Sequence, residues 1–200
     1  LTIEGVVRAI GLERVGNELV LLFEHVEGVN LEQYCEGRRL EIDEFLGLAI
    51  ALSGTLATIH DERIVHRDIK PSNLLIQPSG RVLFADFGIS VLLENERRHL
   101  YDPNVLQGTL PYVSPEQTGR TKRSVDFRSD LYSLGASFYE LLSGQRPFLS
   151  NTPAGLINAH LTRRPQPLRT LRSEIPATLA AIVARLLEKA PELRYQSARG

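Results

Sequence analysis

His66-Arg67-Asp68-Ile69-Lys70-Pro71-Ser72-Asn73, followed thirteen residues later by Asp86-Phe87-Gly88, decides how this chain is read. Both pieces lie beside short apolar segments, residues 64–65, 74–76 and 82–84, that read as strands, with Pro78-Ser79-Gly80 turning the last two into a hairpin. Charged groups there do not serve packing, because burying a charge unpaired costs several kcal/mol. One aspartate in such a place is a turn residue. An aspartate with a lysine at +2, an asparagine at +5 and a second aspartate after a hairpin is a chemical set. Phosphoryl transfer asks for these types: a carboxylate to orient the attacking hydroxyl, a cation near the phosphate, and oxygen ligands for Mg²⁺. Mg²⁺ accepts carboxylate and amide oxygens and keeps several waters, so one aspartate and one asparagine suffice.

Upstream of this set, Phe45, Leu48, Leu52, Leu56 and Ile59 recur at helical spacing and predict an amphipathic helix over residues 43–60, with Asp43 near its start. Farther upstream, apolar runs at residues 6–12 and 19–23 flank a polar turn containing Gly16-Asn17, which reads as a β-hairpin. Two strands alone are marginal in water. Both runs are apolar nearly throughout, broken by Arg8, so cover is expected on both faces from upstream sequence or a partner.

Downstream, residues 87–127 show no sustained period and read as a long, mostly irregular segment, usually functional when ordered. Residues 128–143 are apolar almost all round, the mark of a helix buried in mid-domain, and Gly144 with Pro147 stops it. Leu179, Ile182, Val183, Leu186 and Leu187 predict a further amphipathic helix, preceded by Pro176. The expectation is a few strands followed by a mainly helical body.

Composition narrows the function classes. At 200 residues, 42% hydrophobic and 24% charged, the chain is globular rather than disordered, collagenous or coiled coil. A net charge of −1 gives nothing that draws the whole chain to nucleic acid or an anionic membrane. The single cysteine, Cys35, excludes an internal disulfide and fits a reducing compartment. No apolar run reaches the ~18 residues of a membrane span and no secretory signal opens the chain, so no membrane insertion and a cytoplasmic location are expected. There is no methionine, and the three lysines, Lys70, Lys122 and Lys189, leave the first 69 residues without one. Residue 1 is therefore not expected to be a natural start.

His66-Arg67-Asp68 with Asn73 resembles the catalytic loop of eukaryotic-type serine/threonine protein kinases, and Asp86-Phe87-Gly88 resembles their metal-binding motif. Ser114-Pro115-Glu116 stands where the family usually has Ala-Pro-Glu. Asp130-Leu131-Tyr132-Ser133-Leu134-Gly135 matches its Asp-x-x-x-x-Gly at the start of the central helix, and Arg194 matches its late arginine, partner of the glutamate position held here by Glu116. The motifs come in order and cover nearly the whole chain. The resemblance implies an α+β, protein-kinase-like bilobal fold. Residues 1–27 would be an incomplete small β lobe, with its fourth and fifth strands and hinge, and residues 28–200 a mainly helical large lobe whose final helix is incomplete.

It further implies ATP- and Mg²⁺-dependent phosphorylation of serine and threonine hydroxyls on protein substrates, in signal transduction. Asp68 would be the base or the orienter of the hydroxyl, Lys70 would contact the γ-phosphate, and Asn73 and Asp86 would hold Mg²⁺. Phe23 would be the gatekeeper, with the backbone of Glu24 and Val26 meeting adenine, Leu75 beneath the ring and Asn30 placed to reach ribose. Gly108-Thr109 resembles the substrate-docking loop, its threonine supporting Asp68 and Lys70. Residues 108–120 and 123–135 are also similar to the kinase module of very large bacterial signalling proteins, which implies covalently linked AAA-type ATPase, GAF sensor and histidine-kinase modules.

The chain departs from the family in two places. The family has a glycine-rich loop over the phosphates and a lysine on its third strand. Neither is in these residues, so both are expected upstream, and the chain as given is expected to be poorly active or inactive. Arg67 usually receives a phosphate from the activation segment. Between Val91 and Gln107 Tyr101 carries the only hydroxyl, with Ser90 and Thr109 at the two ends, so Glu94, Glu96 or Asp102 is the alternative partner.

Bland readings accompany the sharp ones. His66 reads as a packed histidine; His25, His60, His99 and His160 as surface or capping groups; Cys35 as a core or surface thiol; Arg120, Lys122 and Arg123 as a solvated loop. Glu116 with Arg194 reads as a buried pair fixing the activation segment to the helical lobe. The rival functions are a pseudokinase scaffold, opposed by the intact Asp68, Asn73 and Asp86, and a small-molecule kinase, opposed by Thr109, Pro115 and Glu116.

Overall fold

The computed structural model describes residues 3–86 and 109–200. Phe87, Gly88, His99, Gly108 and the hydroxyl-poor stretch between Val91 and Gln107 lie outside the described residues.

Strands β1 (Ala9–Val15) and β2 (Glu18–Phe23) form the predicted antiparallel hairpin, with Leu12 opposite Leu21 and the turn made at Gly16, φ +63°. Its faces are open among the described residues: Ile10, Leu12, Val15 and Leu19 are 56–62% exposed, and the expected cover is not supplied by them. The chain before β1 is tied to the rest by Phe84, whose N–H donates to Gly5 O (2.8 Å) and whose carbonyl accepts from Val7 (2.9 Å). Gly5 adopts φ +85°, and a Cβ there would stand 2.3 Å from Thr55 Oγ1, so only glycine fits this approach.

A second sheet, in the order β3 (Val29–Asn30), β4 (Leu74–Ile76), β5 (Val82–Phe84), is antiparallel throughout and sets Leu75 opposite both Asn30 and Leu83. The predicted turn between β4 and β5 is present, with Gly80 N–H on Gln77 O at 2.8 Å. Ile64 and Val65 do not form the expected strand. Ile64 N–H returns to Ile59 O, and the amides of His66 and Arg67 go to a carboxylate described below, so the segment is held by bonds other than a strand ladder.

The helical body holds α1 (Leu31–Cys35), α2 (Ile42–Asp61), α3 (Phe127–Ser143), α4 (Pro153–Thr162), α5 (Leu168–Leu171) and α6 (Ala177–Leu186). α1 was not expected: five residues are too few to show a period, although Asn30 and Gln33 form a complete capping box at its start. α2 buries the predicted stripe Phe45, Leu48, Leu52, Leu56 and Ile59, with Phe45 edge-on to Phe138 at 5.2 Å. By length and its mean hydropathy of 1.5, α2 meets the test for a membrane-crossing helix, against the expectation that no run does so; the stripe is packed in the core, while Leu46 and Ile50 are exposed.

α3 runs through the middle of the body, capped by Asp126 and stopped by Gly144 in the left-handed region. Gly135 lets α6 lie against it, since a Cβ at that position would meet Leu186 Cβ at 2.6 Å. The body and the β3–β4–β5 sheet share one core, which runs from Val6 and Phe84 through α2 and α3 to Leu187.

Candidate functional site

The 66–73 loop owes its shape to one buried carboxylate. Asp130, in the first turn of α3 and fully buried, accepts the N–H of His66 at Oδ2 (2.8 Å) and that of Arg67 at Oδ1 (2.8 Å). His60, at the end of α2, reaches Oδ2 at 2.9 Å. These contacts hold Arg67 at φ +67°, a region that a residue with a side chain seldom enters. His66 is packed, as expected: it is 1% exposed, its ring meets Phe84 at 5.6 Å, and its Nδ1 accepts from Asp68 N–H at 3.3 Å. Burial pushes the imidazole below its ordinary range, against the pull of the Asp130 and Asp68 charges, so it is neutral.

Asp68 gathers three donors. Lys70 Nζ and Asn73 Nδ2 both donate to its Oδ2 at 2.8 Å, and Thr109 Oγ1 donates to its Oδ1 at 3.1 Å. Thr109 in turn accepts from Lys70 Nζ at 2.9 Å, so carboxylate, ammonium and hydroxyl close a ring. Asn73 Nδ2 also bonds Asp68 O at 2.9 Å, fixing the loop's span. The Asp68 side chain keeps 23% of its surface open and that of Lys70 14%, so both are held yet reachable. Such an array can orient a hydroxyl beside a carboxylate and set a positive charge next to it.

Asp86 stands at the end of β5 in the left-handed region, φ +51°, with an exposed side chain, and the neighbouring Ala85 N–H donates to Asn73 O at 2.9 Å. The Asn73 amide nitrogen is committed twice to Asp68, which leaves its oxygen as the free ligand. An amide oxygen with a nearby carboxylate suits a hard cation such as Mg²⁺, so the residues present fit that ion. Among the described residues no group of three or more His, Cys, Asp or Glu side chains gathers as a metal site.

The positions expected around a nucleotide line the step from β2 to β4. Phe23 ends β2; Glu24 N–H donates to Arg8 O (2.9 Å) while its carboxylate accepts from Arg8 N–H (3.1 Å); Val26 and Leu75 are half-buried. Asn30 has a second task that was not foreseen, because its side-chain oxygen caps α1 by accepting from Gln33 N–H at 2.8 Å.

The loop after Thr109 is anchored from below. Arg194 makes a two-pronged contact with Glu116, 2.7 Å to Oε1 and 2.9 Å to Oε2, with both side chains 0–1% exposed, as the sequence led one to expect. Ser129 Oγ adds a bond to Glu116 Oε1 at 2.7 Å. The remaining Arg194 donors go to the carbonyls of Arg128, Glu188 and Lys189, and the guanidinium lies 4.8 Å from the Tyr132 ring centre. Burial alone raises the Glu116 carboxyl, but the Arg194 and Ser129 contacts outweigh it and hold it below the ordinary range.

Gln117 was missed. Its Oε1 accepts from Ser114 N–H and Oγ while its Nε2 donates to Arg67 O at 2.7 Å, stitching this loop to the 66–73 loop. The signal for it was the Ser-x-x-Gln spacing of a capping box. Arg120, Lys122 and Arg123 are exposed, and Arg123 pairs with Glu192 at 3.4 Å.

Two histidines correct the reading of them as surface or capping groups. His60 is tied to Asp130, and His160 is fully buried, its ring 4.9 Å from Phe148. Lys189 Nζ donates to Tyr132 Oη (3.1 Å), which leaves the Tyr132 proton for His160 Nδ1 (3.0 Å). Burial, with the Lys189 charge adding to it, pulls His160 down to about 3 from an ordinary 6.5. Between those values the unfolded chain holds the extra proton, so stability is full above about pH 6.5 and falls as pH drops toward 3, by about 1.4 kcal/mol per pH unit inside the window. His160→Gln should flatten this limb in acid-unfolding curves; an unchanged slope would assign it elsewhere.

A few strands followed by a mainly helical body, with Thr109 bonded to both Asp68 and Lys70, is what the family resemblance implied. The model of the protein kinase domain matches residues 1–199, and the chain belongs to that family. It is 36% identical over 179 residues, 89% of this chain, to a probable serine/threonine-protein kinase of Streptomyces coelicolor, and 35% identical over 185 residues, again 89% of the chain, to the serine/threonine-protein kinase PknB of Mycobacterium tuberculosis. A hybrid signal transduction histidine kinase G of Dictyostelium discoideum is 30% identical across 86% of the chain. The matched region is 26%, 28% and 7% of those three proteins, so the chain spans about a quarter or less of the curated relatives it matches.

Proposed function

We propose that the protein carrying this chain transfers the γ-phosphoryl group of ATP to serine or threonine hydroxyls of other proteins, with Mg²⁺, as a signalling step in the cytoplasm. The observation that carries this reading is the closed ring of Asp68, Lys70 and Thr109 with Asn73 behind it. In the reaction the substrate hydroxyl is oriented by Asp68 and gives up its proton there. Thr109 and Asn73 hold the carboxylate while it does so, and Lys70 places positive charge beside the transferred group. Asn73 and Asp86 would hold Mg²⁺, which, when bound, offsets the phosphate charge.

The Dictyostelium relative, a hybrid histidine kinase of which the match covers a small part, supports placing the domain inside a multidomain signalling protein. In the natural-length protein, transfer from γ-labelled ATP to a general protein acceptor should stop on chelation of Mg²⁺, and hydrolysis of the product should return phosphoserine or phosphothreonine. Transfer that survives chelation, or phosphotyrosine alone, would sink the proposal.

A further inference from the structure

A cavity of about 390 Å³ opens on the helical body, between α6 and the segment that leads into α5. Its volume lies within the range of about 300–1,000 Å³ found for small-molecule sites. Its floor is apolar and buried, made by Tyr139, Leu168, Val183 and Leu187. The one hydroxyl on that floor is already engaged, since Tyr139 Oη donates to Gln166 O at 2.8 Å. The inner part of an occupant therefore finds no polar partner and has to be apolar. Alanines at 180, 181 and 184 leave the α6 wall without long side chains.

The charged residues of the lining are Arg164, Arg169, Glu188 and Lys189. Arg164 and Arg169 are exposed and enter no ion pair among the described residues, while Lys189 Nζ is turned to Tyr132. Two unpaired guanidiniums beside an apolar slot ask for one anionic group on an apolar body, and Arg binds carboxylates through paired N–H groups. The volume admits one short chain rather than a two-chain lipid.

From this cavity and its charge we infer a binding site for a small carboxylate with an apolar tail, its head between Arg164 and Arg169 and its tail on the Val183–Leu187 side of α6. The site is not isolated from the Asp68 region. Glu188 and Lys189, which line it, are the residues whose carbonyls accept from Arg194 at 2.8 and 3.2 Å, and Arg194 holds Glu116. An occupant braces the end of α6 and, through it, the anchor of the loop that carries Thr109.

The test is titration calorimetry of the protein with decanoate below its micelle concentration, with decanol as the uncharged control. Decanoate should bind saturably at one site, and decanol at least about tenfold more weakly. Ala184→Phe, which fills the slot from an exposed helix position, should abolish binding. Arg169→Glu should weaken decanoate about tenfold and leave decanol unchanged. No saturable binding of decanoate, equal binding of decanol, or binding that persists in Ala184→Phe would each overturn the inference. Far-ultraviolet circular dichroism of both variants separates a lost site from a lost fold.

Discussion

Asp68→Asn lowers phosphoryl transfer by about 10²–10⁴-fold, roughly 3–5 kcal/mol of barrier, while the thermal midpoint moves little. The substitution keeps shape and removes charge. Lys70 and Asn73 both point donors at Oδ2, so the new amide keeps its oxygen there and turns its NH₂ to Thr109 Oγ1, which can accept it but whose own hydrogen loses its acceptor; the amide oxygen is too weak a base to take a proton. The neighbouring ring of Lys70 and Thr109 loses the anion that organised it. Because Asp68 is partly open, the mismatch is relieved by water and the fold survives. Single-turnover assays on wild type and variant, with midpoints measured alongside, check this. A variant as fast as the wild type would remove Asp68 from the chemistry and leave the kinase fold as a scaffold.

Arg194→Met is expected to be the most destabilising single change at the anchor. Arg194 is fully buried, and removing it strands the Glu116 carboxylate together with the carbonyls of Arg128, Glu188 and Lys189. Breaking a buried pair from one side costs about 3–5 kcal/mol, because the surviving charge loses its counter-ion and keeps only the Ser129 hydroxyl. For a domain of this size that lowers the midpoint by roughly 10 °C. Adding Glu116→Gln to Arg194→Met should recover part of the loss, since the stranded charge is gone. A double variant as unstable as the sum of the two singles would show that the pair is not coupled.

Much of this was legible in the chain. The 66–73 cluster, the β4–β5 turn at Pro78-Ser79-Gly80 and the buried helix ended by Gly144 rest on local chemistry, and local chemistry is what a sequence displays. The Glu116–Arg194 pair spans 78 positions, and only a motif order carried from a family could join its two halves. What stayed hidden was of two kinds. Short helices such as Leu31–Cys35 and Leu168–Leu171 complete too few turns for a stripe to appear. The other kind was polar groups whose partners lie far along the chain. His60 read as a capping group because nothing near it in sequence suggested Asp130, and His160 because nothing suggested Tyr132. Gln117 gave a local signal that went unused, and its second bond, to Arg67 O, is again long-range.

The carboxylate of Asp130 has a bearing on the order in which this molecule assembles. It serves amides 63 and 64 residues earlier and a histidine 70 earlier, so the His66–Arg67 entry to the loop that carries Asp68 takes its geometry from far along the chain, whatever the bonds inside 66–73 supply. Closing spans of that length is the slow part of forming a domain, and a left-handed arginine cannot be held until it is done. The loop reaches its working shape only when α3 docks, and a nascent or partly opened chain, however helical, presents Asp68 out of register. In exchange with heavy water, the backbone hydrogens of His66 and Arg67 accordingly belong to the cooperative unit of α3 rather than to the surface loops around them. Competence for chemistry and completion of the core are, for this domain, one event.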